Sequence, residues 1–292
     1  MNAIRGCLAV LCFVFGCGCS TVGQGVALVI GNSNYKTVTR LNNPGNDADD
    51  VCKALQRLGF KATCPKDVQT AAEFERLVTA FVDELGPQAT GLFFYSGHGV
   101  QASGENFLVP TDVSVNSAGE NPISQLYPLS HLFAQLARKP EAIKMVVLDA
   151  CRDDPFAPVP LVGAGNPPAG NVATRSALTK RSLEVVAKAS YGTARINDAP
   201  AGTIVLYATA SKDTAYDGKG RNGPLTKHFL LNVEKRGMSV EELIKKVTSG
   251  VQTDTMEIFG KPQTPFVYQS FSRNFCFAGC FDPTNFQVPP AN

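Results

Sequence analysis

Two short tracts in this chain carry residue types that can do covalent chemistry. Tyr95-Ser96-Gly97-His98-Gly99 closes one apolar run, and Asp149-Ala150-Cys151-Arg152 closes another. A thiol is a useful nucleophile near neutral pH only when something helps it ionise. A nearby imidazole does so as general base or as ion-pair partner. His98 and Cys151 are therefore read as a catalytic pair. The glycines beside His98 let the backbone approach a substrate carbonyl, and the amides of Gly99 and Cys151 are the candidate donors to the oxyanion formed there. A lone strand-end cysteine is more often a small buried apolar residue, and a lone histidine is more often structural. The pairing shifts that balance, because only His98 of the three histidines sits in a glycine-flanked strand end. His131 and His228 fall in amphipathic helical patterns and read as structural.

Such a pair needs elements that end in the same place. Val26–Ile30 is a continuous apolar run of the kind a doubly covered parallel strand shows. Asn46 is the expected cap of a helix to about Leu58, with Asp47 and Asp49 in its first turn and Gly59 as its stop. Phe60–Cys64 reads as a second strand, Thr70 with Glu73 as the capping box of a helix to about Leu85, and Gly91–Tyr95 as the third strand. Residues 129–138 suit a helix, and Ile143–Asp149 is the fourth strand. After residue 202 come the strand Thr203–Ala208 and a helix from Pro224 to about Val233. A helix opened by Ser239 and Glu242 follows, to about Val251, and then a last strand, Phe266–Gln269. Strands alternating with helices predict an α/β domain with a mainly parallel central sheet flanked by helices. In such sheets reactive residues gather beyond the carboxyl ends of the strands, where both tracts lie.

Composition narrows the function classes. The chain has 292 residues, 44% hydrophobic and 18% charged, so a large core is available. Its 27 basic and 25 acidic side chains give a formal net charge of +2, with none of the basic excess expected of a nucleic-acid binder. Residues 1–19 read as an export signal: Arg5 precedes an apolar run too short to span a membrane. Val14-Phe15-Gly16-Cys17 is similar to a lipoprotein box, with Cys19 a competing acceptor; an ordinary cleaved signal is the equal alternative. Either way the mature protein is expected outside the cytoplasm, in the periplasm, free or anchored by lipid.

Together the motifs resemble those of the caspase fold, peptidase family C14, and its bacterial caspase-like and metacaspase branch most of all. Besides the two tracts, the resemblance rests on Ala27-Leu28-Val29-Ile30-Gly31-Asn32, Asn43-Pro44-Gly45-Asn46-Asp47-Ala48 and Val109-Pro110-Thr111-Asp112. Tyr207-Ala208-Thr209-Ala210 and Gly220-Arg221-Asn222-Gly223-Pro224 complete it. It implies a caspase-like sandwich over about residues 24–277, a tail over 278–292, and a thiol endopeptidase with a His98–Cys151 dyad and no required third member. The expected substrates are proteins or peptides with basic residues, no cofactor is expected, and the chain is expected to be a monomer.

The resemblance also speaks to specificity. Its matching pocket positions are Asp47, Ser96, Asp149 and Asp217, and three carboxylates around one hole suit the guanidinium or ammonium of Arg or Lys. Asp47 serving its helix dipole, or Asp149 merely ending its strand, are the plainer alternatives. Many metacaspases need calcium. Here Val100–Leu108 carries only Glu105, and Asp153 with Asp154 fall far short of the 6–8 oxygens calcium takes, so no such metal site is expected.

The stretch 153–202 reads as a long internal linker. It is rich in Pro, Gly and Ala to about Thr174 and then basic. Arg175, Lys180 and Arg181 are its candidate self-cleavage points, a solvated loop being the alternative. An idle caspase-like binding domain and a peptide ligase using the same thioester are the competing functions. The idle domain is disfavoured because both histidine and cysteine are present. Of the nine cysteines, four belong to the export segment and Cys151 to catalysis. The remaining four are expected to pair as Cys52–Cys64 and Cys276–Cys280, with free buried thiols as the alternative.

Overall fold

A computed structural model describes residues 23–102, 104–114, 122–150, 199–210, 215–271 and 273–281. The expected export segment, Cys151, nearly all of the linker with Arg175, Lys180 and Arg181, and the end of the tail lie outside the described residues.

Among the described residues, the apolar runs form one six-stranded sheet. Its strands are β1 (Gly23–Gly31), β2 (Lys61–Thr63), β3 (Ala89–Ser96), β7 (Ile143–Asp149), β8 (Thr203–Tyr207) and β9 (Phe266–Gln269), in the spatial order β2-β1-β3-β7-β8-β9. All neighbours are parallel except the β8–β9 pair. Successive side chains of a strand point to opposite faces, so both faces of these runs must be covered. Ala27, Val29, Leu92, Phe94, Met145, Val147, Ile204 and Leu206 share one core with α1 (Pro44–Arg57), α4 (Pro224–Val233) and α5 (Val240–Phe259). Val26, Leu28, Ile30, Phe93, Tyr95, Val146, Leu148, Val205 and Tyr207 share the other with α2 (Ala71–Glu84) and α3 (Leu129–Ala137). The result is an α/β sandwich with a mainly parallel sheet.

Three features depart from the sequence expectation. First, α1 begins at Pro44, and Asn43 occupies its N-cap without a side-chain cap bond. Proline is well suited to the first helical position. The Asn43 amide is used elsewhere, donating to the Asp217 carbonyl. Second, α5 runs beyond Val251 to Phe259 and stops at Gly260, whose φ is 70°. The buried stripe Val240, Leu243, Ile244, Val247, Val251 continues to Thr255. Thr255 tolerates burial because its hydroxyl donates to the Val251 carbonyl at 2.7 Å. Third, a small antiparallel sheet of β4 (Gly99–Ala102), β5 (Glu105–Leu108) and β6 (Tyr127–Pro128) follows His98. It carries a satellite core of Val100, Phe107, Val109, Ile123 and Leu126 with Tyr35 and Leu41. Strands this short leave little periodic signal.

Cys52 on α1 is joined to Cys64 after β2, and Cys276 to Cys280, with Cα separations of 6.3 and 5.1 Å. The first bridge pins α1 to the edge strand. Replacing both Cys52 and Cys64 by alanine is expected to lower unfolding free energy by about 3 kcal/mol, the chain-entropy value for a loop of this size. Urea unfolding of wild type and the double variant measures it; a loss below about 1 kcal/mol would show that the bridge constrains little.

Candidate active site

The register of the central strands sets the site. Ser96, the last residue of β3, pairs with Asp149, the last of β7, and the Gly97 amide donates to the Asp149 carbonyl at 3.3 Å. His98 therefore sits two residues beyond one strand end, and Asp149-Ala150 leads to Cys151 from the neighbouring one. On the other side of β3, the Asn32 amide donates to the Ser96 carbonyl at 2.9 Å, so the end of β1 completes the same edge.

His98 is fully buried. Its Nε2 lies 2.6 Å from the Thr39 carbonyl oxygen. A carbonyl can only accept, so Nε2 carries the proton and Nδ1 is the nitrogen with a lone pair to offer. The Tyr35 ring packs against the imidazole, with centroids 4.5 Å apart and a 48° tilt. Two bonds fix the backbone: the His98 amide donates to the Tyr35 hydroxyl at 2.8 Å, and the Tyr95 hydroxyl donates to the His98 carbonyl at 2.8 Å.

The loop that brings Tyr35 and Thr39 is itself anchored. Asn32 is buried and donates its amide to the Val109 carbonyl at 3.0 Å, while its oxygen accepts from the Val68 amide at 2.9 Å. Asp67 accepts from the amides of Ser33 and Asn34 and from the Asn34 side chain at 2.6–2.9 Å. Burial alone would push the Asp67 carboxyl up. The Asn34 and Ser33 donors, with Lys66 nearby, outweigh it and hold the group below its ordinary value.

The four expected pocket residues meet at this edge, and all are buried. Asp47, in the first turn of α1, accepts from the Ser96 hydroxyl at 2.7 Å and from the Gly223 amide at 3.0 Å. It does more than favour the helix dipole. Asp149 accepts from the Thr226 hydroxyl at 2.6 Å and the Thr226 amide at 3.3 Å, in the first turn of α4. Asp217 accepts from the Asn42 amide at 3.1 Å. Its loop returns to Gly223 and is tied to α1 by Arg221, whose guanidinium grips both Asp50 oxygens at 2.7 and 2.9 Å. That pairing keeps the Asp50 carboxyl below its ordinary value.

Sequence reading missed Asn32, Tyr35, Thr39 and Thr226. A signal existed for the first two: polar residues directly after a buried strand, Gly31-Asn32-Ser33-Asn34-Tyr35, belong to the edge where sites form. Thr39 acts through its carbonyl, which side-chain identity does not reveal. His131 is solvent-exposed on α3, and His228 bonds Asp254 at 3.0 Å between α4 and α5, away from the edge. No group of three or more His, Cys, Asp or Glu side chains among the described residues is arranged to hold a metal ion.

The caspase-domain model of peptidase family C14 matches residues 24–276. The chain belongs to the caspase-domain family. Its curated relatives include mucosa-associated lymphoid tissue lymphoma translocation protein 1 of Homo sapiens, 31% identical over 127 residues, and its Mus musculus homolog, 30% identical over 127. In both cases the match covers 44% of this chain and 15% of the relative. The chain thus matches a small part of those proteins. Among solved structures, caspase-1 from Spodoptera frugiperda aligns with a TM-score of 0.58 at 14% identity, over 89% of this chain and 91% of that one. A protein from Geobacter sulfurreducens aligns with a TM-score of 0.65 at 16% identity, over 89% and 100%. These structural likenesses show the caspase fold. Membership in the caspase-domain family supports a cysteine-protease-like function.

Proposed function

We propose that this caspase-domain protein is an endopeptidase in which His98 and Cys151 cleave peptide bonds after Arg or Lys. One observation carries the reading: the Ser96–Asp149 register sets the His98 tract and the Asp149-Ala150 lead-in to Cys151 on adjacent strand ends. With Nε2 committed to Thr39, His98 Nδ1 accepts the Cys151 proton. The Cys151 sulfur bonds to the scissile carbonyl carbon, and the oxyanion is held by the amides of Gly99 and Cys151. The imidazolium returns its proton to the departing amine. Water then opens the thioester, releasing the new carboxyl end and restoring the thiol. Asp47, Asp149 and Asp217 hold the guanidinium or ammonium of the residue before the cut, with Ser96 beside it. The two structural disulfides suit an oxidising compartment, which supports export through residues 1–19.

Peptides with Arg, Lys or Asp before the scissile bond test the reading, using wild type and Cys151→Ala. Cleavage is expected after Arg and Lys, with a loss of at least about 10³-fold in the variant. Preferred cleavage after Asp, or equal turnover by Cys151→Ala, would overturn it.

A further inference from the structure

The hydroxyls of Tyr35 and Tyr95 lie 3.2 Å apart, on two residues that are 1% and 0% exposed. Their bonds to His98 set the direction of the bond between them. Tyr35 accepts from the His98 amide at 2.8 Å. Tyr95 gives its proton to the His98 carbonyl at 2.8 Å, a shorter bond than its 3.3 Å contact with the Val109 carbonyl. The Tyr35 proton is then the one that spans the two phenols. His98 N–H to Tyr35, Tyr35 O–H to Tyr95, and Tyr95 O–H to His98 C=O make a closed ring through the backbone of His98.

We propose that Tyr35 and Tyr95 are positioning residues for the His98 imidazole, acting through this ring of hydrogen bonds. The proposal rests on the reading of His98 as the general base. The ring holds the residue by its backbone while Thr39 holds it by Nε2. Tyr35 and Thr39 share one loop, so the same phenol that grips the His98 amide also steadies the carbonyl that selects the tautomer. The loop is stitched to the segment that follows β5 by the Lys36 amide, which donates to the Thr111 carbonyl at 3.0 Å. Gly97 is explained by the same geometry. A Cβ there would lie 2.6 Å from the Tyr95 hydroxyl and 2.7 Å from that of Tyr35. The glycine before His98 therefore makes room for the two phenols, a role distinct from backbone access to substrate.

The test compares Tyr35→Phe, Tyr95→Phe, the double variant and His98→Ala in the mature protein. Phenylalanine keeps each ring packed and removes only the hydroxyl. Each single change is expected to lower kcat on an arginyl peptide by about 10–100-fold, with KM within about twofold, as misplacement of a catalytic group does. The double variant should be about as impaired as the worse single, because one missing bond already opens the ring. A second readout is the alkylation of Cys151 by iodoacetamide across about pH 5–9, followed by the mass of its peptide. The fast reaction below the ordinary thiol pKa should be lost in the tyrosine variants and in His98→Ala, while rates near pH 9 stay alike. Lowered stability alone would not produce that pH-selective loss. Wild-type kcat in both phenylalanine variants beside an inactive His98→Ala would overturn the ring's role and leave the general-base reading standing. An unshifted alkylation profile would overturn it too, whatever kcat does. Full turnover by His98→Ala would overturn both.

Discussion

Asp47→Asn is expected to reduce kcat/KM for arginyl peptides by about 10²–10³-fold, equivalent to about 3–4 kcal/mol, with little change in stability. Losing one partner of a buried, hydrogen-bonded charge pair costs on this scale. The asparagine fits the site. Its oxygen can still accept from the Gly223 amide, and its nitrogen can donate to Ser96, whose hydroxyl turns to accept. Only the negative charge is removed, so the loss reports recognition of a basic side chain rather than collapse. Alkylation of Cys151 should be unaffected, because Asp47 is not a member of the proposed dyad. Arginyl turnover within about threefold of wild type would show that Asp47 only builds the edge and does not face the substrate.

Gly31→Ala is expected to be the most damaging single change to the fold near the site. A Cβ at Gly31 would lie 2.2 Å from the Pro44 carbonyl oxygen, 2.9 Å from its carbon and 2.8 Å from the Ala48 Cβ. Those atoms belong to the first turns of α1, so neither a rotamer change nor a flexible chain end can relieve the clash. The helix must move off the end of β1. Overpacking of this severity is expected to cost about 3 kcal/mol or more, a fall in melting temperature of about 6–12 °C for a domain of this size. Activity should drop further than stability, because the displaced turn carries Asp47. Gly45→Ala is the control: a Cβ there would meet the Ser33 hydroxyl at an ordinary contact distance of 3.5 Å, and alanine favours a helix by up to about 1 kcal/mol. Equal stability of the two variants would refute the packing account.

Much of this was legible because buried parallel strands write themselves as unbroken apolar runs. Ile143–Asp149 is such a run, and the partly exposed edge strand Phe266–Gln269 and the helix Pro224–Val233 also lie where patterning places them. The last strand's direction was not legible; β9 runs antiparallel to β8, and side-chain period is the same for either direction. The end of α5 was hidden by a threonine in its buried stripe, satisfied by its own helix. The start of α1 was hidden because Asn43 spends its amide on Asp217, across a sequence separation no local rule spans.

The sequence by itself determined the α/β class, since periodicity is a local property, and its ordered motifs carried the resemblance to the caspase fold. It also singled out His98 and Cys151, the proposed dyad, and the acidic set Asp47, Asp149 and Asp217 proposed to recognise a basic side chain. Only the tertiary structure decided what those residues lean on. The carbonyl of Thr39, the phenols of Tyr35 and Tyr95, the hydroxyl of Thr226 and the close approach of Pro44 to Gly31 are all long-range or main-chain contacts. Their partners are chosen by the sheet register and the helix packing, which exist only once the distant segments have been brought together.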